Sequence, residues 1–272
     1  MKKQDINIRD PFVLTYDGKY YMYGSRVGEQ LGFDVYISTD LDNFQKKESI
    51  FEISDDFWAT GQCWAPEVHF YGGKFYMFAS FKSPDKTRAT QILVSDTPDG
   101  KFKVHSDRIT PNDWECLDGT FYVEDGRPYM IFCHEWVQVK NGEVWAVELE
   151  KDLTRAHGEP FCLWTAKEAP WSVHITDDPE NFVTDGPFLF TDKNGKLCAI
   201  WSSFGEDGYA TGLVRPDNGR IDGYWQHKEE MVFKKDGGHA MLFNTLDGRR
   251  LISLHSPNSE FNERPHFLAI EL

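Results

Sequence analysis

Several signals that would tie this sequence to a particular chemistry are missing. It has no Gly-rich phosphate loop, no Walker sequence and no G-x-S-x-G motif, so nucleotide chemistry and serine hydrolysis are disfavoured. It has no run of eighteen apolar residues, and residues 1–8 lack an apolar segment. These absences predict a cytoplasmic protein that does not cross a membrane. No long amphipathic helix and no linker tract is evident, and we predict a single domain over residues 1–272.

Basic residues and paired cysteines are also scarce. The sequence has 29 Lys and Arg against 44 Asp and Glu, a net charge of −15. Nucleic acids and anionic membranes would repel such a surface, so neither is expected as a partner. The five cysteines are odd in number and form no C-x-x-C pair. Small buried thiols are therefore expected, rather than disulfides or a zinc site.

One short pattern occurs five times along the chain. In each copy a polar residue precedes an apolar strand, a Gly-containing turn follows, and a second apolar strand comes next. The copies start at Asp10, Glu67, Asp118, Asp185 and His239, which are 57, 51, 67 and 54 residues apart. A period of about fifty residues with three to four short strands per copy is typical of a propeller. We therefore predict an all-β, five-bladed β-propeller.

The longest interval has its excess around residues 161–182, which include Trp164 and Trp171. Long insertions between regular elements are usually surface loops, and they often shape a binding site. We expect this segment to be a loop over one face of the disc.

Three of the starting residues, Asp10, Asp118 and Asp185, are carboxylates at places that we take as equivalent in the repeat. The first strand of a propeller blade lines the central channel, so these side chains are expected to meet there. Carboxylates that lie close together raise each other's pKa. Hydrolysis of a glycosidic bond uses such a pair, one as acid and one as base or nucleophile. The alternative is that each Asp only starts a turn before Pro or Gly.

Five short motifs, in this order and spacing, resemble glycoside hydrolase family 43, whose five-bladed propellers act on arabinose- and xylose-containing glycans. The motifs are Arg9-Asp10-Pro11, Trp64-Ala65-Pro66-Glu67, Asp118-Gly119, Thr184-Asp185-Gly186-Pro187 and Gly238-His239. The resemblance implies inversion, with Asp10 as general base, Asp118 orienting the acid and tuning its pKa, and Asp185 as general acid.

The family normally has Glu where this chain has Asp185. The Asp carboxyl reaches about 1.5 Å less far, one C–C step. Glu135, in His134-Glu135-Trp136, is an alternative acid, or else part of a strand-end surface pair.

Substrate contacts are expected from aromatic residues near these motifs, because sugar C–H faces pack on rings. The candidates are Phe12, Trp64, Trp136 and Trp201, with Glu67 and His134 as polar partners. His239 has a family counterpart near the axis that contacts water or a cation, often calcium. A buried neutral histidine is the alternative, because one His is a poor calcium site. No cofactor is expected to be required.

These observations predict an inverting exo-glycosidase, an α-L-arabinofuranosidase or β-xylosidase acting on small oligosaccharides. A sugar-binding propeller without turnover is the main alternative, because Asp replaces the usual Glu. A protein-interaction propeller is a weaker one. The sucrose-cleaving propellers rank lower because their Arg-Asp-Pro motif lies mid-chain, whereas here it opens the first blade. The sequence leaves the oligomeric state open.

Overall fold

The computed structural model describes residues 1–28 and 30–270. In this part of the chain the strands form five antiparallel sheets, each made of consecutive strands. The predicted five-bladed β-propeller is confirmed. Three short helices accompany the sheets: Lys3–Asp5, Trp136–Val139 and Ala166–Glu168.

The blades follow one another along the chain. Blade one contains β1 (Arg9–Tyr16), β2 (Lys19–Ser25), β3 (Gly32–Ser38) and β4 (Gln45–Glu52). Blade two contains β5 (Gly61–Tyr71), β6 (Lys74–Ser83), β7 (Lys86–Ser95) and β8 (Lys103–Arg108). Blade three contains β9 (Cys116–Glu124), β10 (Arg127–His134), β11 (Glu143–Glu148) and β12 (Phe161–Thr165). Blade four contains β13 (Asp185–Thr191), β14 (Leu197–Gly205), β15 (Gly208–Pro216) and β16 (Trp225–His227). Blade five contains β17 (Gly238–Asn244), β18 (Arg250–Ser256) and β19 (Arg264–Ala269).

Tight turns connect the first two strands of blades one and three. Asp17 and Gly18 have φ of 43° and 70°, and Asp125 and Gly126 have φ of 52° and 75°. Two consecutive residues with positive φ match the right-handed twist of the strands, which is why Asp-Gly is a strong hairpin signal. These turns set the register of each hairpin and so place the start of the first strand opposite the end of the second.

In blades one to four the second strand is the most buried, because neighbouring blades pack against both of its faces. Every residue of β2 except Lys19 is buried, and Met22, Met77 and Met130 are fully buried on three second strands. Of the cysteines, Cys63, Cys116, Cys133 and Cys198 are buried free thiols, as predicted, whereas Cys162 is exposed.

The segment 161–182 is not simply a loop. Its first residues form β12, the outer strand of blade three, which pairs with β11. Trp164 and Trp171 lie in the core between blades three and four, where Trp171 packs on Trp201 at a ring distance of 5.0 Å. The two tryptophans give this segment enough apolar surface to be buried, which the loop prediction overlooked. Among the described residues, no helix is long and apolar enough to cross a membrane.

Candidate active site

Every blade has the same irregularity at the start of its first strand. The pairing between first and second strand shifts there, and one residue adopts a positive φ. These residues are Asp10, Ala65, Asp118, Gly186 and His239, with φ between 46° and 57°. A positive φ in a residue other than Gly costs about 1 kcal/mol or more, and such strain concentrates at functional sites. The bulge turns these five positions toward the propeller axis.

The bulges are linked from blade to blade by side chains on the second strands. Ser25 Oγ accepts the N–H of Ala65 at 2.7 Å, and Ser80 Oγ accepts the N–H of Asp118 at 2.9 Å. Ser202 Oγ accepts the N–H of His239 at 2.8 Å. His255 Nδ1 accepts the N–H of Asp10 at 3.2 Å and closes the ring. The serine that recurs after the apolar run of the second strand was a usable sequence signal for this role.

One link differs, and it involves two predicted site residues. Cys133 of blade three occupies the place of these serines, since it pairs with Leu117 as Ser25 pairs with Arg9. The N–H of Gly186 instead donates to Asp118 Oδ2 at 2.9 Å. Asp118 therefore holds the backbone next to Asp185.

The bulge positions correct the equivalences drawn from the sequence. Asp10, Asp118 and His239 are equivalent, but Asp185 lies one residue before its bulge and Glu67 lies two residues after its own. Asp185 thus occupies the position in blade four that Arg9 occupies in blade one. Its side chain comes from the residue before the bulge, whereas Asp10 and Asp118 are bulge residues themselves. The carboxylates converge although they do not share one place in the repeat.

The three aspartates line one pocket, with a volume of about 310 Å³, at the axial end of the blades. Among the described residues, the pocket is lined by Arg9, Asp10, Ser25, Gln30, Trp64, Leu117, Asp118, Asp185, Tyr209, His239 and Glu260. The expectation that Asp10, Asp118 and Asp185 come together agrees with this shared pocket, and their catalytic roles stay a prediction. Trp64 also lines this pocket.

Asp10 is held as an anion. Burial alone would raise its pKa, but His239, Arg9 and His255, with a hydrogen bond from Ser25, lower it to about 2. Ser25 Oγ donates to Asp10 Oδ2 at 2.6 Å, and His239 Nδ1 lies 3.2 Å from Oδ1. Burial lowers the pKa of His255 to about 4, so its Nδ1 is a neutral acceptor. Arg9 supplies a permanent positive charge beside Asp10.

Asp118 and Asp185 form a coupled pair, and the pKa of each is raised, whereas that of Asp10 is lowered. Burial, together with the charge of Asp10, raises the pKa of Asp118 well above its usual value. Burial, together with the charge of Asp118, raises the pKa of Asp185 to about 7. Such a pair shares one proton near neutral pH. Because the Gly186 N–H points at Asp118 and His239 Nδ1 lies 3.7 Å from it, we place the charge on Asp118 and the proton on Asp185.

Tyr209 is the direct partner of Asp185, and no motif in the sequence pointed to it. Its hydroxyl donates to Asp185 Oδ2 at 3.0 Å. The Tyr209 ring stacks on the His255 ring, with 5.6 Å between the ring centroids. Gly238 leaves room for the Tyr209 ring, because a Cβ on residue 238 would lie 2.6 Å from it. A bond to one carboxyl oxygen leaves the proton on the other, Oδ1.

The cluster around Glu135 does not belong to the pocket. Glu135 is buried in an ion pair with Arg88, and burial raises its pKa although Arg88 opposes this. His134 stacks on Trp114 at 4.2 Å and contacts Glu143 and Gln138. Trp136 begins a one-turn helix and is not among the lining residues. Glu135 therefore lacks the access that an alternative acid needs.

Three further sequence candidates also lie outside the pocket. Phe12 and Glu67 follow the bulges and occupy the channel beneath it, where Phe12 packs on His69 at 5.0 Å and Glu67 accepts the Thr120 hydroxyl. Trp201 is fully buried in the middle of a second strand, 5.0 Å from Trp171. Their placement does not fit sugar contact, because each side chain is covered by neighbouring blades.

Three of the residues that sequence reasoning missed lie outside the first two strands of a blade. Gln30 precedes β3, Glu260 lies between β18 and β19, and Tyr209 lies on β15. These places do not recur from blade to blade, so the repeat could not mark them. Arg9 and Leu117 were visible as neighbours of the aspartates but were not assigned a role.

The residues around His239 do not fit a calcium site. The Nδ1 atom faces Asp10 and Asp118, and within residues 1–28 and 30–270 no group of three or more His, Cys, Asp or Glu is placed to hold a metal ion. Calcium takes six to eight oxygen ligands. We derive no step through a metal.

A five-bladed propeller with an ionised and a protonated carboxyl group in one axial pocket has the site of a carbohydrate-cleaving enzyme. Comparison with known proteins agrees. Residues 5–269 match the model of glycosyl hydrolases family 43, and the chain belongs to this family.

The names of the relatives are those of arabinanases and of a xylosidase/arabinosidase. A crystal structure titled endo-arabinase from Bacteroides thetaiotaomicron is 38% identical, covers 100% of this chain and 97% of its own, and superposes with a TM-score of 0.94. An extracellular endo-α-(1→5)-L-arabinanase of Bacillus subtilis is 26% identical over 57% of this chain and 50% of its own length. A xylosidase/arabinosidase of Humicola insolens is 24% identical over 66% of this chain and 60% of its own length. The chain thus spans about half to three fifths of these two curated relatives.

Proposed function

We propose that this protein hydrolyses arabinofuranosyl linkages with inversion at the anomeric carbon. The supporting observation is one pocket that combines Asp10, whose pKa is lowered to about 2, with Asp185, whose pKa is raised to about 7. Inverting hydrolysis needs one ionised carboxylate and one carboxylic acid on opposite sides of the bond. Between these two pKa values both groups are in the required form.

Each residue then has a step. Asp185 gives its Oδ1 proton to the glycosidic oxygen as the C–O bond breaks, and Tyr209 O–H stabilises the charge left on Oδ2. Asp10 takes a proton from the water whose oxygen bonds to the anomeric carbon. Asp118 keeps the pKa of Asp185 high through its charge and fixes the Gly186 backbone. The reaction ends with Asp10 protonated and Asp185 ionised, and exchange with solvent restores both.

The size of the pocket favours a small substrate end. About 310 Å³ is at the lower limit for ligand pockets. This supports the exo mode, with α-L-arabinofuranosidase as the proposed activity and β-xylosidase as a second substrate choice. Arabinose is preferred because the 38% identical relative is titled an endo-arabinase.

The endo-arabinase relative also favours a second candidate, internal cleavage of arabinan. Linear α-1,5-arabinopentaose, with products separated by chromatography, distinguishes the two. Arabinose as the first product indicates exo action, and arabinobiose with arabinotriose as first products indicates internal cleavage. Xylopentaose tests the β-xylosidase option in the same assay.

Asp10→Asn is the control for the proposal as a whole. Wild-type protein that turns over none of these substrates, or only at the rate of Asp10→Asn, would contradict hydrolysis. Calorimetric binding of the pentaose without released sugar would then support the sugar-binding alternative.

A further inference from the structure

A buried ion pair beside the pocket has no part in the steps above. Arg88 on β7 of blade two and Glu135 at the end of β10 of blade three are each 7% exposed. Arg88 Nε donates to Glu135 Oε1 at 2.5 Å. Desolvating two charges is costly, and such pairs are weak evidence for stability as such. The pair therefore calls for another explanation.

The guanidinium of Arg88 lies against the indole of Trp64, with 3.9 Å between its central carbon and the ring centroid. Arg88 Nη1 also donates to Gln62 Oε1 at 2.7 Å. The indole N–H donates to Gln30 Oε1 at 2.5 Å. Trp64 is thus fixed on one face by a cation and at its N–H edge by an amide, and Glu135 fixes the cation in turn. We call these five residues the Trp64 cluster.

The backbone at Trp64 is irregular, and its side chain is only partly covered. The residue lies at a register shift in β5, directly before the strained residue Ala65. A ring that must present a fixed surface to a sugar gains affinity when its rotamer is set beforehand.

We propose that Arg88 is a positioning residue for sugar binding, which holds Trp64 as a rigid wall of the pocket while Glu135 keeps the guanidinium in place. This rests on the proposed function, because it takes the ligand to be a sugar. In this proposal Glu135 does not touch the sugar. It holds Arg88, and Arg88 holds Trp64, which lines the pocket. The wall is then sensitive to the shape of residue 88 as well as to its charge.

The test is Arg88→Lys, which keeps the charge for Glu135 but loses the planar group that stacks on the ring. The expected result with arabino-oligosaccharides is a KM raised about tenfold with kcat within twofold, as for lost uniform binding. Glu135→Gln keeps an acceptor for Arg88, and a smaller rise in KM is expected.

The chain offers a matched control in the same blade. Arg108 lies 4.9 Å from the ring of Trp58, whose N–H donates to Gln91 at 2.7 Å. Neither Arg108 nor Trp58 lines the pocket. Arg108→Lys should therefore leave KM unchanged. Equal KM values for Arg88→Lys and wild type, or equal increases in Arg88→Lys and Arg108→Lys, would overturn the proposal.

A second measurement does not depend on turnover. The indole N–H signal of Trp64, assigned by its loss in Trp64→Phe, is observed by NMR without substrate. In Arg88→Lys its exchange with solvent should be at least tenfold faster, and the signal of Trp58 should not change. An unchanged Trp64 signal would refute the positioning role. If the Trp64 N–H exchanges faster in Arg88→Lys but the wild-type protein cleaves no glycan, the positioning role of Arg88 is supported and only the proposed function is refuted.

Discussion

The raised pKa of Asp185 predicts that the site lowers the stability of the protein at neutral and alkaline pH. Its pKa is about 7 in the folded protein against an ordinary value of 3.8. Between these values the folded state binds a proton that the unfolded state lacks, so stability falls as pH rises. Three pKa units correspond to about 4 kcal/mol. Asp185→Asn removes this cost and can still accept the Tyr209 hydroxyl.

We therefore expect Asp185→Asn to be more stable than wild type by up to about 4 kcal/mol at pH 8 and equally stable near pH 3.5. Urea unfolding of both proteins across this range measures the difference. An Asn variant that is less stable at pH 8, or a difference that does not change with pH, would refute the assignment of the proton.

Asp34 is a control whose pKa is shifted in the opposite direction, below its usual value. It is buried but bonded to Arg26, Lys46 and the N–H of Ser49, and although burial opposes them, these partners lower its pKa. Its stabilisation is present above the unfolded pKa and is lost as pH falls through the folded pKa. Asp34→Asn should be less stable than wild type at pH 8, with the difference vanishing in acid.

Tyr209→Phe removes a hydrogen bond to a developing charge, so kcat should fall about 10- to 100-fold. The alkaline limb of the pH–rate profile should also shift to higher pH, because the Tyr209 bond lowers the pKa of Asp185. An alkaline limb at the same pH as in the wild type would contradict this. Trp201→Ala should cost about 3–5 kcal/mol in urea unfolding and leave KM unchanged, since the ring is core; a raised KM would restore it as a sugar contact. Treatment with EDTA should change neither activity nor melting temperature, and loss of either would indicate a metal near His239.

The sequence identified the architecture because the repeat carries its own local signals. Asp17-Gly18 and Asp125-Gly126 specify tight hairpins, and the apolar runs after them specify buried second strands. These signals depend only on near neighbours in the chain. The bulge does not, since it is defined by pairing across strands. For this reason Glu67 and Asp185 were placed out of register.

Aromatic residues were harder to assign. Trp64 and Trp201 both lie near motif residues, yet one lines the pocket and the other is fully buried. The difference is the position along the blade: Trp64 lies at the bulge near the start of a first strand, and Trp201 lies in the middle of a second strand between blades. Glu135 was misjudged for a related reason, because its partner Arg88 is 47 residues away in sequence.

The acid role of Asp185 is tested most directly by leaving-group dependence. Asp185→Asn, Glu135→Gln and wild type are compared on dinitrophenyl arabinofuranoside, which needs no protonation, and on an arabino-oligosaccharide, which does. We predict that Asp185→Asn loses about 10²- to 10⁴-fold on the oligosaccharide and less than tenfold on the aryl glycoside, whereas Glu135→Gln shows no such difference. Oligosaccharide turnover by Asp185→Asn within tenfold of wild type, or leaving-group dependence in Glu135→Gln, would contradict the account.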